Sequence, residues 1–263
     1  MEKPLVCVTL RGRTAEEMSN DASRAAEMGA DLVEARLDLL WTTEERTRKP
    51  GDSEDGGSED FEVIVNQLEL EEVDFREALG YISNATEIPL LLACRSHSQG
   101  GYYPGSEDER IEVLKAAISS KPSWIDLEAD IPPQIRGNLL GLLDDGTKVI
   151  ASFHSVNGPP STSEITQDVL DAKEMGTLVK ACYATKNRTD ALRIFEAALE
   201  LKSSESNFTL MGLGPGGDWT RIHAPILGQY MVYATTESGW HLAQQGKINA
   251  SDLRMAWEVL EYA

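Results

Sequence analysis

Residues 177–184 read TLVKACYA, a mostly apolar, strand-forming run with Lys180 in its middle. Continuous apolar character over this length marks a strand covered on both faces, as in a parallel sheet. A lysine is almost never fully buried unless its ammonium is compensated, so Lys180 is the residue to explain. Seven further runs share the character: PLVCVTL (4–10), DLVEARLDL (31–39), IPLLLACR (88–95), SWIDLEA (123–129), KVIASFH (148–154), NFTLMGL (207–213) and QYMVYAT (229–235).

Amphipathic stretches separate the runs. Thr14 with Glu17, Ser106 with Glu109 and Ser161 with Glu164 have capping-box spacing, in which a hydroxyl and a carboxylate satisfy free N–H groups at a helix start. Ile111, Leu114 and Ile118 recur at i, i+3, i+7, as do Leu192, Phe195 and Leu199, and each set predicts a face buried against a sheet. Eight strands alternating with helices in 263 residues predict an α/β fold, a single-domain (β/α)8 TIM barrel spanning residues 1–263. An open doubly wound sheet is the alternative, but no GxGxxG follows the first strand. Residues 42–60, TTEERTRKPGDSEDGGSED, are dense in charge, Gly and Ser and predict an exposed, mobile insertion after the second strand.

A content of 41% hydrophobic residues suffices for a full core. No apolar run is long enough to cross a membrane, and MEKPLVCVTLRG lacks the features of a secretory signal, so a cytoplasmic protein is expected. Cys7, Cys94 and Cys182 each lie in an apolar run without metal-ligand spacing and are expected as buried, reduced thiols, with no metal site. The 44 acidic and 24 basic residues give a net charge of -20, which repels nucleic acid and anionic membranes.

In a barrel, the chemistry sits at the C-terminal ends of the strands. Glu34, Arg36 and Asp38 alternate along the second strand, Arg95 ends the third, His154 ends the fifth, Lys180 lies in the sixth, and Arg221 follows the glycine-rich turn after the seventh. Each has a structural reading: an internal ion pair for Glu34 and Arg36, a carboxylate partner for Arg95, a satisfied strand-end histidine, a lysine reaching the rim. Asp126 and Glu128 read as structural hydrogen-bonding groups. Taken together, a lysine among apolar side chains and arginines is expected to have a lowered pKa and to act as a nucleophilic amine. A histidine beside it can shuttle protons near neutral pH. These residues point to imine chemistry on an anionic carbonyl compound.

VEARLD (33–38), CRS followed by QGG (94–101), ASFH (151–154), LVKACY (178–183) and MGLGPGGDWTR (211–221) together resemble the type I 3-dehydroquinate dehydratase family over almost the whole chain. The resemblance implies a (β/α)8 barrel, often a homodimer, that converts 3-dehydroquinate to 3-dehydroshikimate in the shikimate pathway without metal or organic cofactor. It implies that Lys180 forms the imine and His154 moves the protons. Glu34, Arg36 and Arg95 would position the hydroxylated ring, Arg221 would pair with the carboxylate, and Met211 would line the pocket. Thr9 could contact a hydroxyl. Two positions depart from the family pattern. Gln99 stands where a glutamate usually supports the histidine, which predicts a lower His154 pKa, and LAQQGKI (242–248) puts Lys247 at a substrate-binding glutamine. A class I aldolase, with a phosphate held by GLGPGG (212–217), and a catalytically silent binder on the same fold are the competing readings.

Self-repulsion at a net charge of -20 destabilises the compact state unless salt screens it. Thermal denaturation is therefore expected to shift upward between low and molar KCl; a melting temperature indifferent to KCl would overturn this expectation.

Overall fold

Each apolar run quoted above becomes a strand of one parallel sheet, because both faces of every run are covered. The computed structural model describes residues 3–48, 61–239 and 241–262. The barrel strands are β1 (Leu5–Thr9), β2 (Leu32–Arg36), β5 (Leu90–Ala93), β6 (Trp124–Glu128), β7 (Lys148–Ser155), β8 (Leu178–Ala184), β9 (Phe208–Leu213) and β10 (Met231–Ala234). They run in the order β10-β1-β2-β5-β6-β7-β8-β9 and form a nearly closed (β/α)8 barrel. Around it lie α1 (Ala15–Glu27), α2 (Phe75–Ala85), α3 (Glu107–Ser119), α4 (Pro133–Leu140), α5 (Thr162–Ala172), α6 (Arg188–Leu201), α7 (Gly217–Ile222), α8 (Ala224–Leu227), α9 (His241–Gln244) and α10 (Ala250–Val259). The three expected capping boxes form at the starts of α1, α3 and α5. No helix among the described residues is long and apolar enough to cross a membrane.

Strand alternation sorts the barrel interior into layers. Cys7, Leu32, Leu91, Trp124, Ile150, Leu178 and Met231 pack together as an apolar floor. Two residues further along the strands, the inward positions become Thr9, Glu34, Asp126, Ser152, Lys180 and Tyr233. Polarity therefore begins one step above the floor. Outward positions such as Val6, Val33 and Leu92 bury against Met18, Ile82 and Leu114 of the helices.

The seam between β9 and β10 is closed by isolated hydrogen bonds. Tyr230 N–H donates to the Phe208 carbonyl (3.0 Å) and Thr209 Oγ1 to the Met231 carbonyl (2.6 Å). Gln229 spans the gap: its Oε1 accepts from Leu210 N–H and its Nε2 donates to the Thr220 carbonyl, both at 2.8 Å.

Three expectations require correction. Residues 42–48 are no solvated loop but a strand, β3 (Thr42–Arg48), paired antiparallel with β4 (Phe61–Gln67). The pairing supplies what the polar β3 sequence lacks, since β4 (FEVIVNQ) is rich in β-branched residues. Residues 49–60, the rest of the expected insertion, lie outside the described residues. The run 31–39 ends as a strand at Arg36, and Leu37–Trp41 turns into a 3-10 helix. Finally, Leu192 and Leu199 are 54% exposed, and α6 buries Ala191, Ile194, Ala197, Ala198 and Leu201 instead. Phe195, the third residue of the expected face, is partly buried against the same cluster, so the buried face is rotated from the expected one and centres on Ala191, Ile194, Ala198 and Leu201.

The buried Gln229 amide accepts the Leu210 N–H across the seam, and an unpaired buried group costs roughly 1–3 kcal/mol. Gln229→Leu is expected to destabilise the fold by about that amount for each group left unpaired. A urea unfolding curve checks this; an unchanged midpoint would show that the seam is held elsewhere.

Candidate active site

Lys180 Nζ donates to Glu34 Oε1 at 2.8 Å and to Asp126 Oδ2 at 3.2 Å, and lies 4.1 Å from the centre of the Tyr233 ring. Three strands, β2, β6 and β8, thus converge on one nitrogen. Thr9 Oγ1 donates to the second Glu34 oxygen at 2.8 Å, so Thr9 serves the carboxylate. Ser152 Oγ donates to the other oxygen of Asp126. Asp126 therefore belongs to the lysine's own environment, beyond the structural role expected for it.

The expected lowering of the Lys180 pKa is overturned. Burial does push it down, but Glu34 and Asp126 outweigh burial and the result is raised above the ordinary lysine value. Burial likewise favours a neutral Glu34, yet Lys180 and Arg95 hold its carboxyl down to about 2. The resting site is an ion triad, and this is why a lysine 2% exposed is tolerated inside the barrel.

Arg36 grips Asp38 through both ends of its fork, Nε to Oδ1 at 2.8 Å and Nη2 to Oδ2 at 2.6 Å. Asp38 also accepts the backbone N–H groups of Arg95 and Tyr102, each at 3.1 Å. Glu128 accepts Ser96 N–H at 3.0 Å and pairs with the buried Arg110. Two carboxylates thereby fix the loop after β5. Gly101 completes its turn, for a Cβ there would stand 2.0 Å from the Arg95 carbonyl oxygen.

That loop delivers Gln99 to His154. Gln99 Oε1 accepts from His154 N–H and lies 3.0 Å from Nδ1, also 3.0 Å from the backbone nitrogen. Since the backbone N–H can only donate, the contacting atom is the amide oxygen, and Nδ1 must carry the ring proton. Nε2 is then a free acceptor, buried and without a hydrogen-bond partner among the described residues. The His154 pKa lies well below the usual range, as expected, but burial is the chief cause, followed by Arg95, Lys180 and Arg36.

Arg221 donates Nε to the Tyr233 carbonyl (2.8 Å) and Nη1 to the Gly212 and Gly217 carbonyls (2.9 and 2.7 Å), while Nη2 reaches only the Met211 sulfur at 3.6 Å. No carboxylate pairs with it among the described residues. Burial lowers its pKa to about 10. Arg95 is comparably under-used, with Nη2 buried, lacking a hydrogen bond, and 3.9 Å from Asp126.

One cavity of about 280 Å³ at the C-terminal mouth of the barrel is lined by Glu34, Arg36, Arg95, His154, Lys180, Met211, Arg221 and Lys247. Gln99 stands behind His154 and does not line it. Lys247 faces Glu237 at 3.7 Å on the rim, its pKa lowered by burial. Arg11, Arg13, Tyr233 and Thr235 also line the cavity and were not anticipated. RGR (11–13) follows the first strand directly, which was the available signal; Tyr233 was masked because it reads as an ordinary strand aromatic. In the glycine-rich turn, Gly214 N–H is spent on the Gln245 carbonyl and Gly217 N–H on Gly214, both at 3.0 Å, which weakens the aldolase reading of that turn as a phosphate cradle. Among the described residues no group of His, Cys, Asp or Glu side chains is arranged to hold a metal ion.

Comparison with known proteins bears on the family and the fold. Residues 6–262 match the family model described as type I 3-dehydroquinase. The 3-dehydroquinate dehydratase of Methanothermobacter thermautotrophicus is 28% identical over 234 residues, covering 89% of this chain and 88% of that protein. That of Methanopyrus kandleri is 26% identical over 257 residues, covering 97% and 100%. The crystal structure of the type I 3-dehydroquinate dehydratase from Clostridium difficile with covalent modified comenic acid superposes with a TM-score of 0.78 at 20% identity, covering 99% of this chain and 93% of that one. At that identity the superposition speaks for the fold, and the family match over nearly the whole sequence goes further: the chain belongs to the type I 3-dehydroquinase family.

Proposed function

We propose that Lys180 is the imine-forming amine and His154 the proton carrier of a 3-dehydroquinate dehydratase. The observation that carries the assignment is a buried ammonium sharing one cavity with a histidine whose Nε2 is free to accept a proton. An ammonium is no nucleophile, so the Lys180 proton passes first to one of the two carboxylates already hydrogen-bonded to it. The amine then attacks the C3 ketone, the carboxyl group returns the proton to the carbonyl-derived oxygen, and that oxygen leaves as water, giving a protonated imine. His154 Nε2 takes a C2 proton and the electron pair moves toward the nitrogen as an enamine. Collapse of the enamine expels the C1 hydroxyl, which leaves as water with the proton from His154. Hydrolysis of the remaining imine frees 3-dehydroshikimate and restores Lys180.

Arg221, with its unpaired guanidinium edge, takes the substrate carboxylate, and Met211 packs beside it. Glu34, Arg36 and Arg95 orient the ring hydroxyls. Lys247 closes the site from the rim. The same proposal includes a homodimer in the cytoplasm; the three buried free thiols support a reducing compartment and the family resemblance supports the dimer.

Borohydride reduction during turnover of 3-dehydroquinate is expected to leave an adduct that mass spectrometry maps to Lys180. Turnover without an adduct would reduce the lysine to an electrostatic role. For His154, replacing the neutral amide with a carboxylate by Gln99→Glu is expected to raise its pKa by about one to three pH units, the usual effect of an adjacent opposite charge. An NMR titration of the ring reads this directly, and an unmoved midpoint would detach Gln99 from the histidine's electrostatics.

A further inference from the structure

We propose that Tyr233 is a further residue acting on the reacting nitrogen: its ring face carries the positive charge of Lys180 in the resting site and of the protonated imine after substrate has bound. The inference rests on the assignment of Lys180 as the imine-forming amine.

Tyr233 is the inward residue of β10 immediately above Met231 of the apolar floor, and its ring centre lies 4.1 Å from Lys180 Nζ. A cation at that distance from an aromatic face is attracted by the ring quadrupole, more strongly where water is excluded. Its backbone carbonyl accepts Arg221 Nε–H at 2.8 Å, so the residue that covers the lysine also anchors the arginine assigned to the carboxylate. The hydroxyl does nothing comparable: it is buried and has no hydrogen-bond partner among the described residues. The residue's contact with Lys180 is therefore made by its ring face and not by its hydroxyl.

The stronger argument comes from counting donors. An ammonium has three N–H groups, and Lys180 aims two of them at Glu34 and Asp126. A protonated imine has one N–H, so at most one of those hydrogen bonds survives its formation. The ring requires no N–H. It attracts charge wherever on the nitrogen that charge resides, and its share of the stabilisation grows as the carboxylates lose theirs. Among the described residues, the other titratable or charged groups acting on this nitrogen are Arg95 in the loop after β5, His154 on β7, Cys182 on β8 and Cys7 on β1. Of these Arg95 opposes the charge, which leaves the ring and the two carboxylates to hold it.

The test compares Tyr233→Leu, Tyr233→Met and Tyr233→Phe with the unaltered protein by steady-state kinetics and by the pH dependence of borohydride trapping of 3-dehydroquinate. Removing the ring is expected to lower kcat about tenfold and to move the trapping midpoint to lower pH, because the charged nitrogen loses a partner. Tyr233→Met fills the site with a flexible apolar chain, so it reports on the ring even where the leucine variant folds poorly. Tyr233→Phe returns the ring and is expected to restore both quantities. If phenylalanine fails as leucine does, the hydroxyl is the acting group and the proposal falls. It also falls if the leucine and methionine variants lose stability with no movement of the midpoint, the mark of a packing role. Absence of a Lys180 adduct in the unaltered protein would strike the underlying assignment, and is seen before any variant is made.

Discussion

Lys180 places a full positive charge inside a parallel barrel, where a lone ammonium would lose far more hydration than packing could return. Glu34 and Asp126 make this possible, and both must arrive from other strands in register with it. The layering of the barrel supplies the register. Cys7, Leu32, Trp124, Ile150 and Leu178 fill the floor, and one alternation later the same strands present Thr9, Glu34, Asp126, Ser152 and Lys180. A slip of one residue in β8 would turn Lys180 against the helices and leave two buried carboxylates facing each other. The triad therefore constrains strand pairing as well as chemistry.

Above that layer the site is held by groups that never line the cavity. Asp38 and Glu128 clamp the loop after β5, Arg110 neutralises Glu128 and donates to the Cys94 carbonyl, and Trp41 packs edge-on to Tyr103 at 4.9 Å just beyond the loop. The consequence appears at Gln99, which fixes the His154 tautomer by hydrogen bonding alone. A neutral partner orients the ring without stabilising imidazolium, and the surrounding cations disfavour it further. A histidine set this way rests neutral with Nε2 unprotonated, and a proton placed there is readily given up.

The barrel was legible because its apolar runs are long and separated by capping boxes, features that depend on neighbours in sequence. Lys180, His154 and Arg221 were legible for a related reason: a polar residue is conspicuous in a strand or just after a glycine turn. What escaped depended on partners distant in the chain. β3 is polar enough to pass for a loop until β4 pairs with it. On α6 two apolar sets overlap, Leu192 with Leu199 and Ile194 with Leu201, and only packing against the sheet selects the second, flanked by Ala191, Ala197 and Ala198. The charge on Lys180 depends on Glu34 and Asp126, 146 and 54 residues away in the chain, and neither contact is visible in the sequence around the lysine.

The mouth of the cavity depends on one more contact that only the fold creates. Gly246, at φ +67, lies so close to Gly214 and Gly217 that an added Cβ would stand 2.3 Å from the Gly214 oxygen. Glycine against glycine lets the loop before α10 settle on the turn before α7, bringing Lys247 within the field of Arg221. Lys247 then meets Glu237, Glu237 pairs with Arg11, and Glu44 of β3 reaches Arg11 and Arg13 at 3.5 and 3.2 Å. This chain of ion pairs joins the loop after β1, the segments before α9 and α10, and strand β3 around the opening. In a protein with a net charge of -20, Arg11, Arg13, Arg36, Arg95, Lys180, Arg221 and Lys247 all line this one cavity, so basic side chains are gathered there against the trend of the whole sequence.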